Sequence, residues 1–227
     1  MASNMYLIWG SGSIPCWKAM LVLEEKGFGG YPNKLVSFSN KEHKGEDVMK
    51  LNPRGQVPTF KDGDIVVNES TAICQYLERR YADKGTKLIP DQPAEHASVL
   101  QRMFEISNIE QNMMKDYAYY MFRTKKEDQK EEVIKEKVTN AQKELAIWEG
   151  YLQASKPGNF VAGKTFSMAD AFFFPFIAFS VRLGLNLDKY PAIKEYYNRV
   201  SKRDSVQKTW PPHWSTEEAK MDFMKDL

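Results

Sequence analysis

Three short segments hold residue types that can act on a small ligand. Ser13-Ile14-Pro15-Cys16 lies between an apolar run, Met5 to Trp9, and a helical pattern from Cys16 to Lys26 that closes at Gly27. A cysteine in place of Ser13 would complete a C-x-P-C redox motif at a helix start; with a hydroxyl there, no dithiol couple can form. What remains is a helix N-terminus with free backbone N–H groups, a positive dipole end and a serine O–H that can donate to a thiolate. That suits a bound thiol, although the same residues also read as a plain cap with Cys16 packed as a small hydrophobe. In Asn52-Pro53-Arg54-Gly55-Gln56-Val57-Pro58, a proline entering a strand is a candidate for a cis bond that would turn the Val57 backbone toward a peptide-like ligand. Two trans prolines in an ordinary loop are the alternative. Asn68-Glu69-Ser70-Thr71 opens a helix where an α-carboxylate could bind and Glu69 could pair with an α-amino group, or where the residues merely cap.

The elements that must position these segments follow from periodicity. Lys34 to Phe38 is a second strand, and Thr59 to Lys61 joins Ile65 to Val67 through Asp62-Gly63-Asp64, a strong hairpin signal because Asp-Gly supplies positive φ angles. A helix from Glu69 runs to about Ala82, giving the order β-α-β then β-β-α. Lys84 to Pro93 is turn-rich and aperiodic, a linker. Beyond it the pattern is helical: Ala94 to Arg123, Asp128 to Ala154, Met168 to Leu183 and Pro191 to Arg203. Ser167-Met168-Ala169-Asp170 has the spacing of a capping box at a buried helix, a folding device. Met113, Met114, Tyr117, Tyr120 and Met121 fall at spacings that could form a pliable apolar wall, with part of the stripe serving as core or dimer interface. Trp210 to Trp214, WPPHW, could lie over such a pocket or pack on the surface.

Composition sets the outer limits. The 227 residues carry 32 Lys and Arg against 30 Asp and Glu, a net charge of +2, without the basic excess that phosphate neutralisation needs. Nucleic acid is therefore not an expected partner. Two cysteines make no disulfide framework, and the N-terminus lacks a signal-like run, which suits a reducing cytoplasmic setting. The richest apolar stretch, Ala169 to Val181, is interrupted by Asp170 and Pro175 and falls short of the roughly 20 residues a membrane span needs. Asn68-Glu69-Ser70 is formally a glycosylation sequon, without a secretory signal to bring it into use.

Taken together, the three segments and the helical second half resemble the glutathione transferase family over essentially the whole chain. Gly12-Ser13-Ile14-Pro15-Cys16 is similar to the serine-type classes theta, delta and zeta. Asn52 to Pro58 with Asn68-Glu69-Ser70 most resembles the rho class. The resemblance implies a thioredoxin-like α/β N-terminal domain (βαβ-ββα) at 1–83, a linker at 84–93 and an all-α domain at 94–227 that forms the electrophile pocket. It implies glutathione as co-substrate, an electrophilic, mostly apolar acceptor, a homodimer and no metal. Ser13 would donate to the glutathione sulfur. Val57, beside Pro58, would pair with the cysteinyl part, with Gln56 assisting; Glu69 and Ser70 would hold the γ-glutamyl end, and His43 with Lys44 the glycine carboxylate. One departure is Ser11, a second hydroxyl in a longer first loop, which leaves open which serine faces the sulfur; the S-x-P-C spacing favours Ser13. A glutathione-dependent peroxidase or isomerase, or a non-catalytic ligand-binding module, are the alternative functions.

Overall fold

The computed structural model describes residues 4–156, 158–217 and 221–227. The elements in chain order are β1 (Met5–Trp9), α1 (Ile14–Glu25), β2 (Asn33–Leu35), a 3-10 turn (Glu42–Lys44), α2 (Glu46–Met49), β3 (Thr59–Asp62), β4 (Ile65–Asn68) and α3 (Ser70–Arg80). Then follow α4 (Pro93–Ile109), a π-helical stretch (Glu110–Ala118), α5 (Tyr119–Arg123), α6 (Glu131–Ala154), α7 (Met168–Arg182), α8 (Pro191–Val200), α9 (Asp204–Thr209) and α10 (Pro212–Thr216). They divide into two compact units, Met1–Ile89 with Arg203–Glu218, and Pro90–Lys202 with Ala219–Leu227.

The first unit is a four-stranded mixed sheet in the order β2-β1-β3-β4, with β2 parallel to β1 and the β3–β4 hairpin antiparallel. Gly63 adopts φ 59° in the hairpin turn, which glycine enters without a Cβ penalty. The second strand is shorter than expected, Asn33–Leu35, because Val36 leaves the ladder after donating its N–H to Trp9 O at 2.8 Å. This is the thioredoxin-like architecture.

Residues 203–217 belong with this unit rather than with a helical domain running to 227, and the packing says why. Glu25 at the end of α1 receives Arg203 Nε at 2.6 Å and Nη2 at 2.8 Å, with the Ser205 hydroxyl at 2.5 Å. Trp17 of α1 donates its indole N–H to Thr209 Oγ1 at 2.8 Å and meets the rings of Trp210 and Trp214 edge-on at 5.3 and 5.5 Å. Neither α9 nor α10 carries a helical pattern long enough to read from sequence.

The second unit is helical. Its centre is α7, buried on nearly every side, with Phe173 stacked on Trp148 of α6 at 4.3 Å. Asp170, fully buried, accepts Ser167 N–H and O–H at 2.8 Å each, and Val161 N–H and Tyr196 O–H at 3.1 Å each. Burial pushes this carboxyl up to about 6 even against those four donors. The expected helix from Ala94 to Arg123 is broken by the π-helical turn at Glu110–Ala118, and α6 starts at Glu131 after a short 3-10 turn. Among the described residues no helix is long and apolar enough to cross a membrane.

Candidate functional site

Strand register alone gathers the three chemistry-bearing segments. Ile8 pairs with Thr59, and Thr59 pairs with Asn68. The turn after β1, the Val57–Pro58 entry to β3 and the Glu69–Ser70 start of α3 therefore share one end of the sheet. The side chains of Val57 and Leu51 pack on Ile8, Val36 and Val48, which anchors the loop by its apolar face.

The β1–α1 turn is closed by Ser13 N–H donating to Gly10 O at 3.2 Å, with Gly12 at φ 78°. Ser13 caps α1: its Oγ accepts the Cys16 N–H at 3.4 Å, a bond that does not use its own O–H. Cys16 is buried, and burial pushes its thiol up to about 11, against hydrogen bonds from Ser13 and from Gly10 N–H. It is a neutral thiol at physiological pH and no nucleophile. Ser11 is engaged differently, its Oγ lying 2.6 Å from His213 Nδ1.

A chain of contacts runs from this turn along that end. An added Cβ on Gly10 would lie 2.3 Å from the Phe38 ring, so glycine admits that ring against the turn. Phe38 in turn faces His43 at 5.3 Å, and His43 Nδ1 is buried with no hydrogen-bond partner among the described residues. Lys44 Nζ donates to Arg54 O at 3.0 Å and its chain lies over Gly55, at φ 57°. Gln56 itself is exposed; its carbonyl accepts the Asn52 amide at 2.9 Å and the Thr59 hydroxyl at 3.0 Å. The Val57–Pro58 bond is cis, as the strand-entry proline suggested. Asn68 then donates to Leu51 O at 2.9 Å, tying the start of α3 to the same loop.

Glu69 has φ 68° and ψ 117°, outside the comfortable regions for a residue with a Cβ, and its side chain is exposed. Its carbonyl receives Ile73 N–H at 2.9 Å, while Ser70 is half-buried beside it. Such strain persists only where the surroundings over-determine it, and it clusters at ligand clamps. Nothing in the residue types announces it.

The stripe suggested for the acceptor wall divides. Met113 and Tyr117 have no accessible surface, and the Tyr117 hydroxyl donates to Phe223 O; both are core of the helical unit and cannot line an open pocket. Met114 is buried too, while Tyr120 and Met121 keep half-buried surface, with the Tyr120 hydroxyl accepting Lys130 N–H at 3.0 Å. Met113 and Tyr117 continue, at three- and four-residue spacings, the buried stripe of Ile106 and Ile109, whereas Tyr120 and Met121 lie in α5, which buries no residue. Sequence reasoning left His213 and the supporting amides of Asn52 and Asn68 without a role; only the aromatic tail around His213 carried a visible signal.

Comparison with known proteins identifies the family. A family model described as the glutathione S-transferase N-terminal domain matches residues 13–80, and one for the C-terminal domain matches residues 110–204. Glutathione S-transferase A of Pleuronectes platessa is 46% identical over 227 residues, the full length of both chains. The crystal structure of a glutathione S-transferase from the Antarctic clam Laternula elliptica superposes with a TM-score of 0.91 at 49% identity, covering 99% of this chain and 100% of that one. A delta-class glutathione transferase from Nilaparvata lugens gives 0.78 at 27% identity, covering 98% of each. Matched in both halves and similar from end to end, the chain belongs to the glutathione S-transferase family and is a glutathione-using transferase.

Proposed function

We propose that this transferase is of the serine type, most like the rho class, and that Ser13 holds the glutathione sulfur as its thiolate. The observation that carries the reading is the position of Ser13: its oxygen caps α1 through Cys16 N–H, which sets its hydroxyl at the helix N-terminus, where the O–H turns from the Cys16 thiol to the bound sulfur. The buried, neutral Cys16 supports a nucleophile brought in by the co-substrate rather than by the chain. Val57 offers its backbone to the cysteinyl part beside cis Pro58, with Gln56 next to it. Glu69 and Ser70 take the γ-glutamyl end. His43, with its unpartnered Nδ1, and Lys44 take the glycine carboxylate. The thiolate attacks an electrophilic carbon of an apolar small molecule; a C–S bond forms and the leaving group departs with its electron pair. Tyr120 and Met121 keep the accessible apolar surface that acceptor contact requires. The protein works as a cytoplasmic homodimer in this proposal.

The test is Ser13→Ala. Conjugation of glutathione to an activated aryl chloride falls far more than retention on immobilised glutathione. Equal loss of both, or unchanged conjugation, overturns the assignment.

A further inference from the structure

We propose that His213 is a positioning residue for the reacting sulfur, acting through Ser11, and that the two form a relay that removes the thiol proton of glutathione. This rests on the reading that the thiol sits at the β1–α1 turn.

The geometry is specific. His213 lies in α10, 202 residues from Ser11, yet its Nδ1 is 2.6 Å from Ser11 Oγ. A Cβ added to Gly12 would be 2.9 Å from His213 Cε1 and 3.4 Å from Nε2, so the imidazole lies directly over the residue that separates Ser11 from Ser13. The Trp214 indole comes within 3.3 Å of the same point, and Trp17, Trp210 and Trp214 meet edge-on as one cluster that seats the helix. A hydroxyl and an imidazole held this way over an anion-binding turn form more than a cap.

The two protonation states of a bound thiol fit the same heavy-atom positions. With the thiol present, the Ser11 O–H donates to Nδ1 and the Ser11 oxygen accepts the S–H. The S–H bond then breaks, its proton passes to the Ser11 oxygen, and Ser11's own proton passes to Nδ1. The result is a thiolate that accepts the Ser11 O–H, beside an imidazolium whose Nδ1–H donates to Ser11. One S–H bond is lost and one N–H bond is gained, and the imidazolium releases a proton to water when the conjugate leaves. Ser13 and the α1 N-terminus stabilise the product anion; Ser11 and His213 give its proton a destination. The titratable groups on the packed elements are Cys16, Lys18, Glu24 and Glu25 of α1, Asp204 and Lys208 of α9, and Glu217 beyond α10's own last turn. The relay takes its selectivity from the direct Ser11 contact.

The experiment compares His213→Ala, His213→Asn and Ser11→Ala with the parent. Read together are kcat and KM for glutathione with an activated aryl chloride, retention on immobilised glutathione, and the ultraviolet absorbance of the bound thiolate at neutral pH. His213→Asn keeps a group that can hydrogen-bond Ser11 but cannot take a proton. The expected result is a fall in kcat of about tenfold or more in all three variants, with KM for glutathione and retention kept and the thiolate absorbance reduced. Ser11→Ala combined with His213→Ala falls no further than either alone. Full activity in His213→Asn overturns the relay and leaves a structural latch; so do additive losses, and so does a rise in KM at constant kcat. Lost retention in these variants, with retention intact in Ser13→Ala, overturns the placement of the thiol itself. Should His213→Ala fail to fold, His213→Asn and Ser11→Ala decide the matter.

Discussion

Ser13→Ala can be worked through to a pH-resolved prediction. A free thiol titrates at about 8.5, and holding it near neutrality, at about 7, needs about 2 kcal/mol of preferential interaction with the thiolate. A hydrogen bond to a charged partner contributes about 1.5–3 kcal/mol and a helix N-terminus about 0.3–1 kcal/mol. Removing the Ser13 hydroxyl while α1 stays in place therefore raises the bound thiol by roughly 1–2 pH units. At about pH 6.5, below both titrations, the thiolate fraction and kcat/KM fall by about 10- to 100-fold. At about pH 9 both proteins are largely ionised, and the thiolate of higher pKa is intrinsically more nucleophilic, so the rates converge or cross. Cap loss is a separate and smaller effect: the Ser13 to Cys16 bond is 3.4 Å long, and its removal costs about 1 kcal/mol or less of stability. The assay is kcat/KM for an activated aryl chloride at saturating glutathione, at pH values from about 6 to 9, beside a thermal melt. A deficit of the same size at both ends of that range, or no deficit, refutes thiolate stabilisation by Ser13.

Three further perturbations test the frame around the site. Gly10→Ala puts a Cβ 2.3 Å from the Phe38 ring, which must shift and take His43 with it, so KM for glutathione rises several-fold while the fold persists; an unchanged KM refutes the coupling. Asp170→Asn is less stable than the parent at every pH because its amide faces donors. The parent's folded carboxyl titrates at about 6, above its ordinary value, so its stability falls as pH rises, and the deficit of the variant in urea unfolding shrinks by about 2 kcal/mol between about pH 4 and 6. A deficit that stays constant or widens counts against a raised carboxyl. Arg203→Ala leaves Glu25 buried; that carboxyl is held below its ordinary value, burial opposing but the Arg203 and Ser205 bonds prevailing, so the loss is about 3–5 kcal/mol and residues 203–217 become sensitive to protease.

What could be read in advance followed from local chemistry. The Asp-Gly turn implied the hairpin, and it was the resemblance to one family, not the periodicity, that associated the segments of Ser13, Val57 and Glu69. The S-x-P-C spacing placed a hydroxyl at a helix N-terminus because capping is decided by immediate neighbours. Features set by distant packing stayed hidden. His213 meets Ser11 across 202 positions, and no periodicity links them. The π-helical stretch at Glu110–Ala118 has no signal in the residue types, because composition does not distinguish its pairing from that of an ordinary helix. The strained backbone of Glu69 is imposed by its surroundings, and glutamate has no propensity that foretells it.

The return of residues 203–217 to the first unit bears on how members of this family can be recombined. A chimaera joined once, between residues 89 and 90, would import a foreign tail and strip α1 of Arg203, Thr209 and the Trp210–Trp214 cover. Glu25 would then lose the Arg203 and Ser205 bonds that hold its carboxylate. The transferable cassette is discontinuous, and swapping it intact takes three junctions: between residues 89 and 90, just before Arg203, and between residues 218 and 219.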